Sequence, residues 1–220
     1  LLRGRDIKRY SYEFADLHLI TTFPSLKINI EKYPAVKQYL MSFGYDKLKQ
    51  TGDIGSRKKT NNKWFETQDS IGYWEDFSKQ KIVYIEIMTD NAQDGYEFPC
   101  FTYDIQDTVV LNTAYIMTGN EVELKYILAI LNSKLGRQLV KYYTVQLQQK
   151  QFRMLNQYVS NFPIPKASEE RLESFKIKVD RILLHKKNND DYSIIENELL
   201  QEIYSIFDLS LEEIEFIEIQ

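Results

Sequence analysis

The chain has 220 residues, and 43% of them are hydrophobic, which is enough for one packed domain with a helical appendage and excludes a disordered tail. Its net charge of −4, taken as an average, argues against a nucleic-acid-binding protein. The single cysteine, Cys100, excludes an internal disulfide and a thiolate metal cluster, and the longest apolar stretches are far too short to cross a bilayer.

The first residues of the chain indicate a segment of a longer protein. The sequence opens at Leu1 instead of Met and carries no signal-peptide pattern, so we expect part of a larger cytoplasmic protein without membrane contact. Arg3–Tyr12, which is rich in charged residues, is predicted to be a connecting segment that enters the folded domain.

A short helix and a loop are predicted next. Proline is tolerated in the first turn of a helix, so Pro34 is expected to begin a helix over Ala35–Met41, which Gly44 would end. Gln50–Asn62 is rich in Gly, Ser, Thr, Asn and Lys, and this composition predicts an exposed loop.

Strands are predicted in the middle of the chain. Lys81–Met88 is rich in β-branched and aromatic residues, and its alternation predicts one continuous strand. Asp90–Glu97 is predicted to be a turn. Phe98–Tyr103 and Thr108–Met117 are predicted to form two further strands, so this part of the chain should build a sheet.

Two helices are predicted after the strands. Asn120 is a favourable N-cap, and Glu123 stands three residues later, where a carboxylate can reach the free amides of the first turn. Asn132, Ser133 and Gly136 are expected to interrupt this helix, and a second helix should continue through Tyr143.

The remainder of the chain is predicted to be helical. Two prolines in Asn161–Pro165 stop regular pairing, so we expect a boundary there. The first helix after it should end near His185, and Asn188–Asp191 should form the next loop. Capping residues indicate three helix starts, at Ser168, at Ser193 with Glu196, and at Ser210 with Glu213. The sequence therefore predicts an α+β domain followed by an all-helical segment.

Charge is unevenly distributed along the chain. Residues 1–166 contain 22 Lys and Arg against 18 Asp and Glu, a net charge of +4, whereas residues 167–220 contain six against 14, a net charge of −8. Residues 54–65 and 124–168 contain no acidic residue at all. Carboxylates facing a phosphate backbone would repel it, so both stretches indicate phosphate contacts, with a solvated basic face as the alternative.

The sequence gives no sign of a catalytic site. There is no glycine-rich loop that could hold a phosphate or a cofactor, and we expect no catalytic, cofactor-binding or metal-binding residue in this chain. Of the two histidines, His185 lies in a basic run near a predicted helix end, where a surface role is expected. Glu86 lacks the lysine two positions later that a nuclease motif would have, and we interpret it as a solvent-facing or hydrogen-bonded strand residue.

Basic, aromatic and amide residues suggest instead a surface for DNA. Gln and Asn can pair with adenine, and Arg and Lys with guanine, in the major groove. The candidate DNA-binding residues are Arg57, Lys58, Lys59, Lys63, Trp64, Lys134, Arg137, Gln149, Lys150, Gln151 and Arg153. Packing in the core is the alternative for Trp64, and plain solvation is the alternative for each glutamine.

Several segments are familiar in their order. They are the aromatic segment leading to Lys-Ile-Val at Trp64–Ile85, the strand and helix at Leu111–Gly119 and Leu124–Leu135 with Leu-Asn-Ser at Leu131–Ser133, the closing segment Phe152–Pro165, and the entering linker Arg3–Tyr10. Together they resemble the TaqI-like specificity domain over about residues 1–166. Each motif is weak alone, and their order makes the resemblance specific.

The resemblance implies the target-recognition domain of an adenine-specific DNA methyltransferase. Such enzymes use S-adenosylmethionine, and in type IIG restriction–modification systems they are often fused to an endonuclease. The cofactor and catalytic motifs of the family belong to a separate domain, so the resemblance implies recognition, and not catalysis, for this chain.

We therefore predict a linker (1–12), a DNA target-recognition domain (13–166) and an acidic helical segment (167–220). The expected partners are double-stranded DNA and the methyltransferase domain of the same parent chain. The loop Arg57–Lys63 would fix the register on phosphates, and Lys150–Arg153 would recognise base edges. The alternative is a protein–protein interaction module whose basic surface is incidental.

Overall fold

The structure, a computed structural model, describes residues 1–90 and 97–219, without the side chain of Gln149. The predicted turn Asp90–Glu97 therefore lies largely outside the described residues. The chain divides into two compact units: unit 1 is Leu1–Leu17 with Glu75–Gln220, and unit 2 is His18–Trp74. Among the helices that are described, none combines the length and the apolar character needed to cross a membrane.

Unit 2 consists of short helices and loops. Pro34 is the first residue of α1 (Pro34–Met41), as the sequence predicts. Gly44 follows with a φ of 95°, a conformation that glycine adopts without steric cost, and it separates α1 from α2 (Tyr45–Leu48). The predicted helix and its glycine stop are confirmed.

Unit 1 combines strands and helices, so the predicted α+β fold with C-terminal helices is confirmed. Its strands are β1 (Ile7–Lys8), β2 (Ser11–Tyr12), β3 (Lys81–Ile85), β4 (Ile87–Thr89), β5 (Phe101–Asp104), β6 (Ala114–Thr118), β7 (Val145–Gln146) and β8 (Gln151–Arg153). Its helices are α3 (Glu121–Asn132), α4 (Lys134–Tyr143), α5 (Asn156–Val159), α6 (Glu169–Asn188), α7 (Ser193–Ile206) and α8 (Leu211–Ile219).

Glu86 divides the strand that the sequence predicts over Lys81–Met88. β3 belongs to an antiparallel sheet of order β5-β3-β6, whereas β4 belongs to a second sheet of order β4-β8-β7. The Glu86 N–H donates to the Thr113 carbonyl (2.9 Å), and the Glu86 carbonyl accepts from the Met154 N–H (2.7 Å). The prediction of one continuous strand is wrong, because the backbone exchanges one set of partners for another at Glu86.

The two other predicted strands are shorter than the sequence indicates. β5 begins only at Phe101 and β6 only at Ala114. The residues before β6 pair instead with the N-terminal segment: the Leu2 N–H donates to the Val109 carbonyl (2.8 Å), and the Leu111 N–H donates to the Leu2 carbonyl (3.1 Å). The β-branched residues before β6 favour an extended conformation. They pair only with Leu2, and one residue does not make a strand.

The central sheet contains a fully buried ion pair. Lys81 Nζ lies 2.7 Å from Asp104 Oδ2 and also donates to the carbonyls of Phe77 (2.7 Å) and Gln106 (2.8 Å). Asp104 Oδ1 accepts from the Tyr12 hydroxyl at 3.0 Å. A buried charge is tolerated when it is paired and hydrogen-bonded, and both conditions hold here. The pair thus connects β2, β3 and β5.

Capping side chains begin α3 and α4, and the cap of α3 at Asn120 is the one that the sequence predicts. Asn120 Oδ1 accepts from the Glu123 N–H (2.9 Å), and Ser133 Oγ accepts from the Gly136 N–H (3.1 Å). Gly136 lies inside α4 instead of interrupting it. A Cβ at this glycine would stand 2.3 Å from the Ile130 carbonyl oxygen, so no other residue fits this close approach of α4 to α3.

Asn132, the last residue of α3, pairs with the backbone of β5. Its Oδ1 accepts from the Phe101 N–H (3.1 Å), and its Nδ2 donates to the Phe101 carbonyl (3.0 Å). β5 is an edge strand of the central sheet, and an uncovered edge would leave these backbone groups unpaired. The buried amide therefore covers part of the sheet edge.

The long helix α6 packs along α3 in unit 1. Phe175, Val179 and Ile182 form its fully buried stripe, and the Phe175 ring meets the Tyr126 ring edge-on at 5.1 Å between centroids. α6 continues to Asn188, so the loop before α7 begins one residue later than predicted. The acidic C-terminal helices are therefore part of the core of unit 1.

The caps of the C-terminal helices follow the prediction in two of three cases. α6 and α8 begin after Ser168 and Ser210. α7 differs, because Ser193 is its first residue and the Asp191 carboxylate accepts from the Ser193 N–H and hydroxyl, each at 3.0 Å. The predicted cap at Ser193 is wrong, and Glu196 forms an ion pair with a side chain of the N-terminal segment instead.

The N-terminal residues, predicted to be a linker, are ordered within unit 1. Leu2 and Ile7 are buried, and the β1–β2 hairpin contacts β5. The division of the chain at residues 12 and 166 stays a prediction.

Candidate nucleic-acid interface

A buried glutamine organises the basic loop of unit 2. Gln50 Nε2 donates to the carbonyls of Lys63 (3.2 Å) and Glu66 (2.7 Å), and Gln50 Oε1 accepts from the Thr60 hydroxyl (2.6 Å). The Thr60 N–H donates to the Gln50 carbonyl (3.1 Å). Because one side chain bonds both ends of the segment, the predicted loop has a defined conformation.

The cations of this loop differ in their surroundings. Arg57 is half-buried, and its Nη1 donates to the Glu66 carbonyl at 2.8 Å. Lys58 and Lys59 are exposed, and neither forms an ion pair with any residue that the structure describes. The two lysines are therefore accessible to a phosphate, whereas Arg57 holds the loop closed.

Lys63 and Trp64 lie at the end of the loop and contact other rings. The Trp64 ring is half-buried, with its centroid 6.0 Å from that of Tyr45 and 5.6 Å from that of Phe65. Lys63 is exposed, and its Nζ lies 5.6 Å from the Phe65 ring centroid. Trp64 thus packs within unit 2, and contact of either residue with DNA stays a prediction.

The two units carry opposite net charge. Unit 2 contains nine Lys and Arg against five Asp and Glu, a net charge of +4, which leaves 19 against 27 and a net charge of −8 in unit 1. The basic character of the first 166 residues therefore belongs to unit 2, and unit 1 is acidic. Unit 2 is the body that favours a phosphate backbone electrostatically.

The acid-free stretch 124–168 meets carboxylates from other parts of the chain. Five of its seven cations form ion pairs, and these pairs are Lys125 with Glu121 and Asp180, Lys134 with Glu218, Arg137 and Lys141 with Asp90, and Arg153 with Glu86. This stretch contains no acidic residue of its own, but the fold brings carboxylates from other segments next to its cations. Most of its positive charge is therefore neutralised.

Asp90 connects α4 to the segment after β7. Its carboxylate accepts from Arg137 Nη2 (2.9 Å) and pairs with Lys141 Nζ (3.0 Å), while its N–H donates to the Lys150 carbonyl (2.9 Å). Burial acts to raise the pKa of Asp90, but the hydrogen bonds from Lys141 and Arg137 outweigh it, and the pKa is lowered. Asp90 therefore stays ionised at neutral pH and keeps Arg137 close to Lys150.

β7 and β8 form a short two-stranded ribbon on the second sheet. Val145 pairs with Arg153 and Gln146 with Phe152, and the Leu147 N–H donates to the Gln151 carbonyl (2.7 Å). β8 pairs on its other side with β4, so the ribbon is attached to the strand that continues β3. β7 is therefore an edge strand of the second sheet, and both of its residues are exposed.

The tip of the ribbon carries amides and one exposed cation. Gln146 and Gln148 are exposed and Gln151 is half-buried. Lys150 is exposed with a φ of 60°, the left-handed conformation that closes the turn, and forms no ion pair within the described part of the chain. The side chain of Gln149 lies outside the described residues, so its predicted role is not addressed by the structure.

The face that β4 and β8 turn toward the core is buried, and their opposite face is exposed to solvent. Met88 and Phe152 are paired across β4 and β8, and both are buried. On the opposite face Ile87, Arg153 and Val145 form one cross-strand row, and all three residues are exposed. The guanidinium of Arg153 is held by Glu86, whose Oε1 accepts from Nε (3.1 Å) and Nη2 (3.0 Å).

The candidate residues of unit 1 fall into two groups. Lys150, Gln151 and Arg153 lie together on the ribbon, and Arg137 is connected to them through Asp90. Lys134 is held separately by Glu218 of α8. The loop and the ribbon belong to different units, so their joint use of one duplex stays a prediction.

Sequence reasoning did not identify the carboxylates that hold these cations. Glu86 was interpreted as a solvent-facing or hydrogen-bonded strand residue, and the structure assigns it an arginine partner 67 positions away. Asp90 was placed only in a turn. Neither residue has a local sequence signal, because both partners come from distant parts of the chain.

The described residues contain no group of three or more His, Cys, Asp or Glu side chains that could hold a metal ion. The features that the structure does present are a basic loop, an amide-rich ribbon and an arginine fixed by a carboxylate. A comparison with family models gives a match over residues 1–164, to the model described as the TaqI-like C-terminal specificity domain.

Proposed function

Because the chain belongs to the family of TaqI-like C-terminal specificity domains, we propose that it recognises a short sequence of duplex DNA and positions that duplex for a methyltransferase domain. The family match over residues 1–164 is the observation that carries this proposal. Specificity domains of this kind belong to DNA methyltransferases of restriction–modification systems. Adenine as the methylated base and fusion to an endonuclease, as in type IIG enzymes, are further parts of the proposal.

The charge of unit 2 supports a role in holding the DNA backbone. Its net charge is +4, and Lys58 and Lys59 are exposed on a loop whose conformation is fixed by Gln50. Lysines on a fixed loop can bind phosphates without a large loss of backbone entropy. Contacts of this kind determine position along the duplex and carry no sequence information.

The ribbon of unit 1 supports a role in recognising bases. Its exposed and half-buried glutamines, Gln146, Gln148 and Gln151, can each pair with an adenine edge, and Arg153 with a guanine edge. The ribbon is held by hydrogen bonds on both strands and by the buried pair Met88 and Phe152. A recognition element whose conformation is fixed before binding loses less conformational entropy on association.

We assign S-adenosylmethionine to the methyltransferase domain and not to this chain. The sequence has no glycine-rich turn between a strand and a helix, the element that would hold such a cofactor. The chemistry that the cofactor supplies is the methyl group, and the residues of this chain would contribute only the placement of the DNA. The same division leaves any endonuclease activity to another part of the parent protein.

The proposal is tested by selecting bound sequences from a library of random duplexes with the full chain at two salt concentrations. We expect enrichment of a short motif and a fall of log affinity with log salt with a slope of about −4 to −5, as for four to six phosphate contacts. Replacing Gln146, Gln148 and Gln151 by Ala should remove part of the motif while binding persists.

The matched control carries Gln106→Ala and Gln201→Ala, which are exposed glutamines outside the ribbon. This variant should enrich the same motif as the unmodified chain. A flat salt response together with no enriched motif would reject DNA recognition and favour the interaction module. A motif that the ribbon variant leaves intact would place base recognition elsewhere in the chain.

A further inference from the structure

We propose that Glu86 is a positioning residue that fixes Arg153 for recognition of one guanine. This inference rests on the proposed function, and it adds a residue that no sequence feature assigned to DNA recognition. It is carried by the geometry of Glu86 at the break between β3 and β4, and by the N–H groups that its contact leaves free on Arg153.

The backbone of Glu86 is fixed from two sides. Its N–H donates to the Thr113 carbonyl (2.9 Å) and its carbonyl accepts from the Met154 N–H (2.7 Å). These bonds tie the residue to both sheets at the point where the chain leaves one and enters the other. The Glu86 carboxylate therefore starts from a backbone position that the core determines.

The contact between the two side chains uses only one edge of the guanidinium. Glu86 Oε1 accepts from Arg153 Nε at 3.1 Å and from Nη2 at 3.0 Å. A guanidinium has five N–H groups, so three of them, one on Nη2 and two on Nη1, have no hydrogen-bond partner among the residues that the structure describes. Two of the free groups are parallel at the end of the side chain, and this is the pair that meets guanine O6 and N7.

The surroundings of Arg153 restrict it to the outer face of the ribbon. Ile87 and Val145 lie directly across from it on the neighbouring strands, and the three side chains form one exposed row. Directly opposed side chains in antiparallel strands are about 5 Å apart at Cβ, close enough to limit the movement of the arginine stem. Arg153 is thus bonded at its head by Glu86 and flanked on the neighbouring strands by two apolar residues.

A carboxylate next to a DNA-binding arginine is unfavourable for a phosphate contact, since it would repel the phosphate. It is compatible with a base edge in the major groove, where guanine presents two neutral acceptors. The pairing with Glu86 therefore favours a guanine edge over the backbone as the target of Arg153. An arginine that served only to bind phosphate would be expected without such a partner.

The test compares variants of the full chain in the same selection from random duplexes. Arg153→Lys keeps the charge but loses the paired donors, and it should lower the preference for guanine at one base pair by roughly 5- to 150-fold. Glu86→Ala should lower the preference at the same base pair by a smaller factor, about two- to twelvefold. The double variant should lose no more than Arg153→Lys alone, because Glu86 acts through Arg153.

Arg181→Lys, at an exposed arginine of α6, is the matched control and should leave the preference unchanged. Thermal unfolding of each variant verifies that it is folded, so a change at one base pair is not confused with a loss of structure. A uniform loss of affinity in Arg153→Lys, without a change in preference, would show a phosphate contact and overturn the inference.

The remaining outcomes separate this inference from the proposed function. If the unmodified chain enriches no motif, the proposed function itself fails. If it enriches a motif that Arg153→Lys leaves intact, only the assignment of Arg153 fails. If Arg153→Lys changes one base pair and Glu86→Ala changes none, Arg153 recognises the base without the help of Glu86, and the positioning role is rejected.

Discussion

At the scale of single residues, neighbouring cations of one loop have separate functions. Arg57 donates to the Glu66 carbonyl and is half-buried, whereas Lys58 and Lys59 are exposed and unpaired within the described residues. Arginine suits the first position because its planar guanidinium can bond a fixed carbonyl. A triple substitution of all three residues would therefore mix a change of loop structure with a loss of phosphate contacts.

Replacing only Lys58 and Lys59 by Ala should weaken DNA binding equally on all sequences. Each lost phosphate contact lowers the magnitude of the salt slope by about 0.9, so the double variant should lose about two in slope. The measurement is the affinity for one duplex over a range of salt concentrations.

The control for this prediction is Lys32→Ala with Lys47→Ala, which removes the same charge from exposed positions of unit 2 outside the loop. An equal loss of slope in the control would mean that the charge of unit 2 as a whole, and not the loop, determines binding.

At the scale of secondary-structure elements, the Leu-Asn-Ser segment has a separate physical role for each residue. Leu131 is buried in the core, Asn132 pairs with the backbone of Phe101, and Ser133 caps α4. The segment therefore fixes α3, α4 and the edge of the central sheet to one another. These contacts show what each residue of the segment does in the fold of this chain.

Replacing Asn132 by Leu, a residue of similar size, should destabilise the chain by about 1–3 kcal/mol, because the buried Phe101 N–H would lose its acceptor. The Phe101 carbonyl keeps a second donor, the Tyr10 N–H at 3.0 Å, which limits the cost. Urea unfolding gives the free energy, and the exposed Asn112→Ala should change it by less than about 0.5 kcal/mol. Equal stability of both variants would contradict the assigned role.

The sequence correctly predicted the helix starts that depend on neighbouring residues. The α1 start at Pro34, the α3 cap at Asn120 and the α8 cap at Ser210 all depend on residues within one helical turn, and the structure confirms them. The strand break at Glu86 could not be predicted, since Lys81–Met88 has the same composition throughout and only the choice of partner strands divides it. The burial of Lys81 was equally hidden, because its partner Asp104 lies 23 positions away.

The features of the candidate site that depend on nearby residues could likewise be predicted, and those that depend on distant residues could not. The exposed loop and the amide-rich segment were identified from composition, which is a local property. The carboxylates that neutralise Arg137 and Arg153 are Asp90 and Glu86, which flank β4, and only the folded chain brings them close. Charge counted along a sequence therefore overestimates the charge that a surface presents.

At the scale of the whole molecule, the acidic C-terminal helices cannot be removed without damage to unit 1. Phe175, Val179 and Ile182 of α6 are fully buried against the rest of the unit. Burial of each such side chain contributes about 1.5–3 kcal/mol, so the three together approach the total stability of a typical domain.

Truncation after Lys166 should therefore give a chain without cooperative unfolding. Near-ultraviolet circular dichroism and a urea titration would measure this. A shorter truncation after Ile206, which retains α6 and α7, should keep a cooperative transition at lower urea concentration. A cooperative transition in the chain that ends at Lys166 would mean that the helices form a separable module.

The alternation of the ribbon has a consequence for how target specificity can change during evolution. Met88 and Phe152 are buried and anchor the second sheet on the core, whereas Ile87, Val145 and Arg153 on the other face are exposed. Substitutions at these outward positions can accumulate without loss of the scaffold, since neighbouring residues of a strand point to opposite faces. A lineage could thus acquire a new recognition sequence in single steps, each of them compatible with a folded protein.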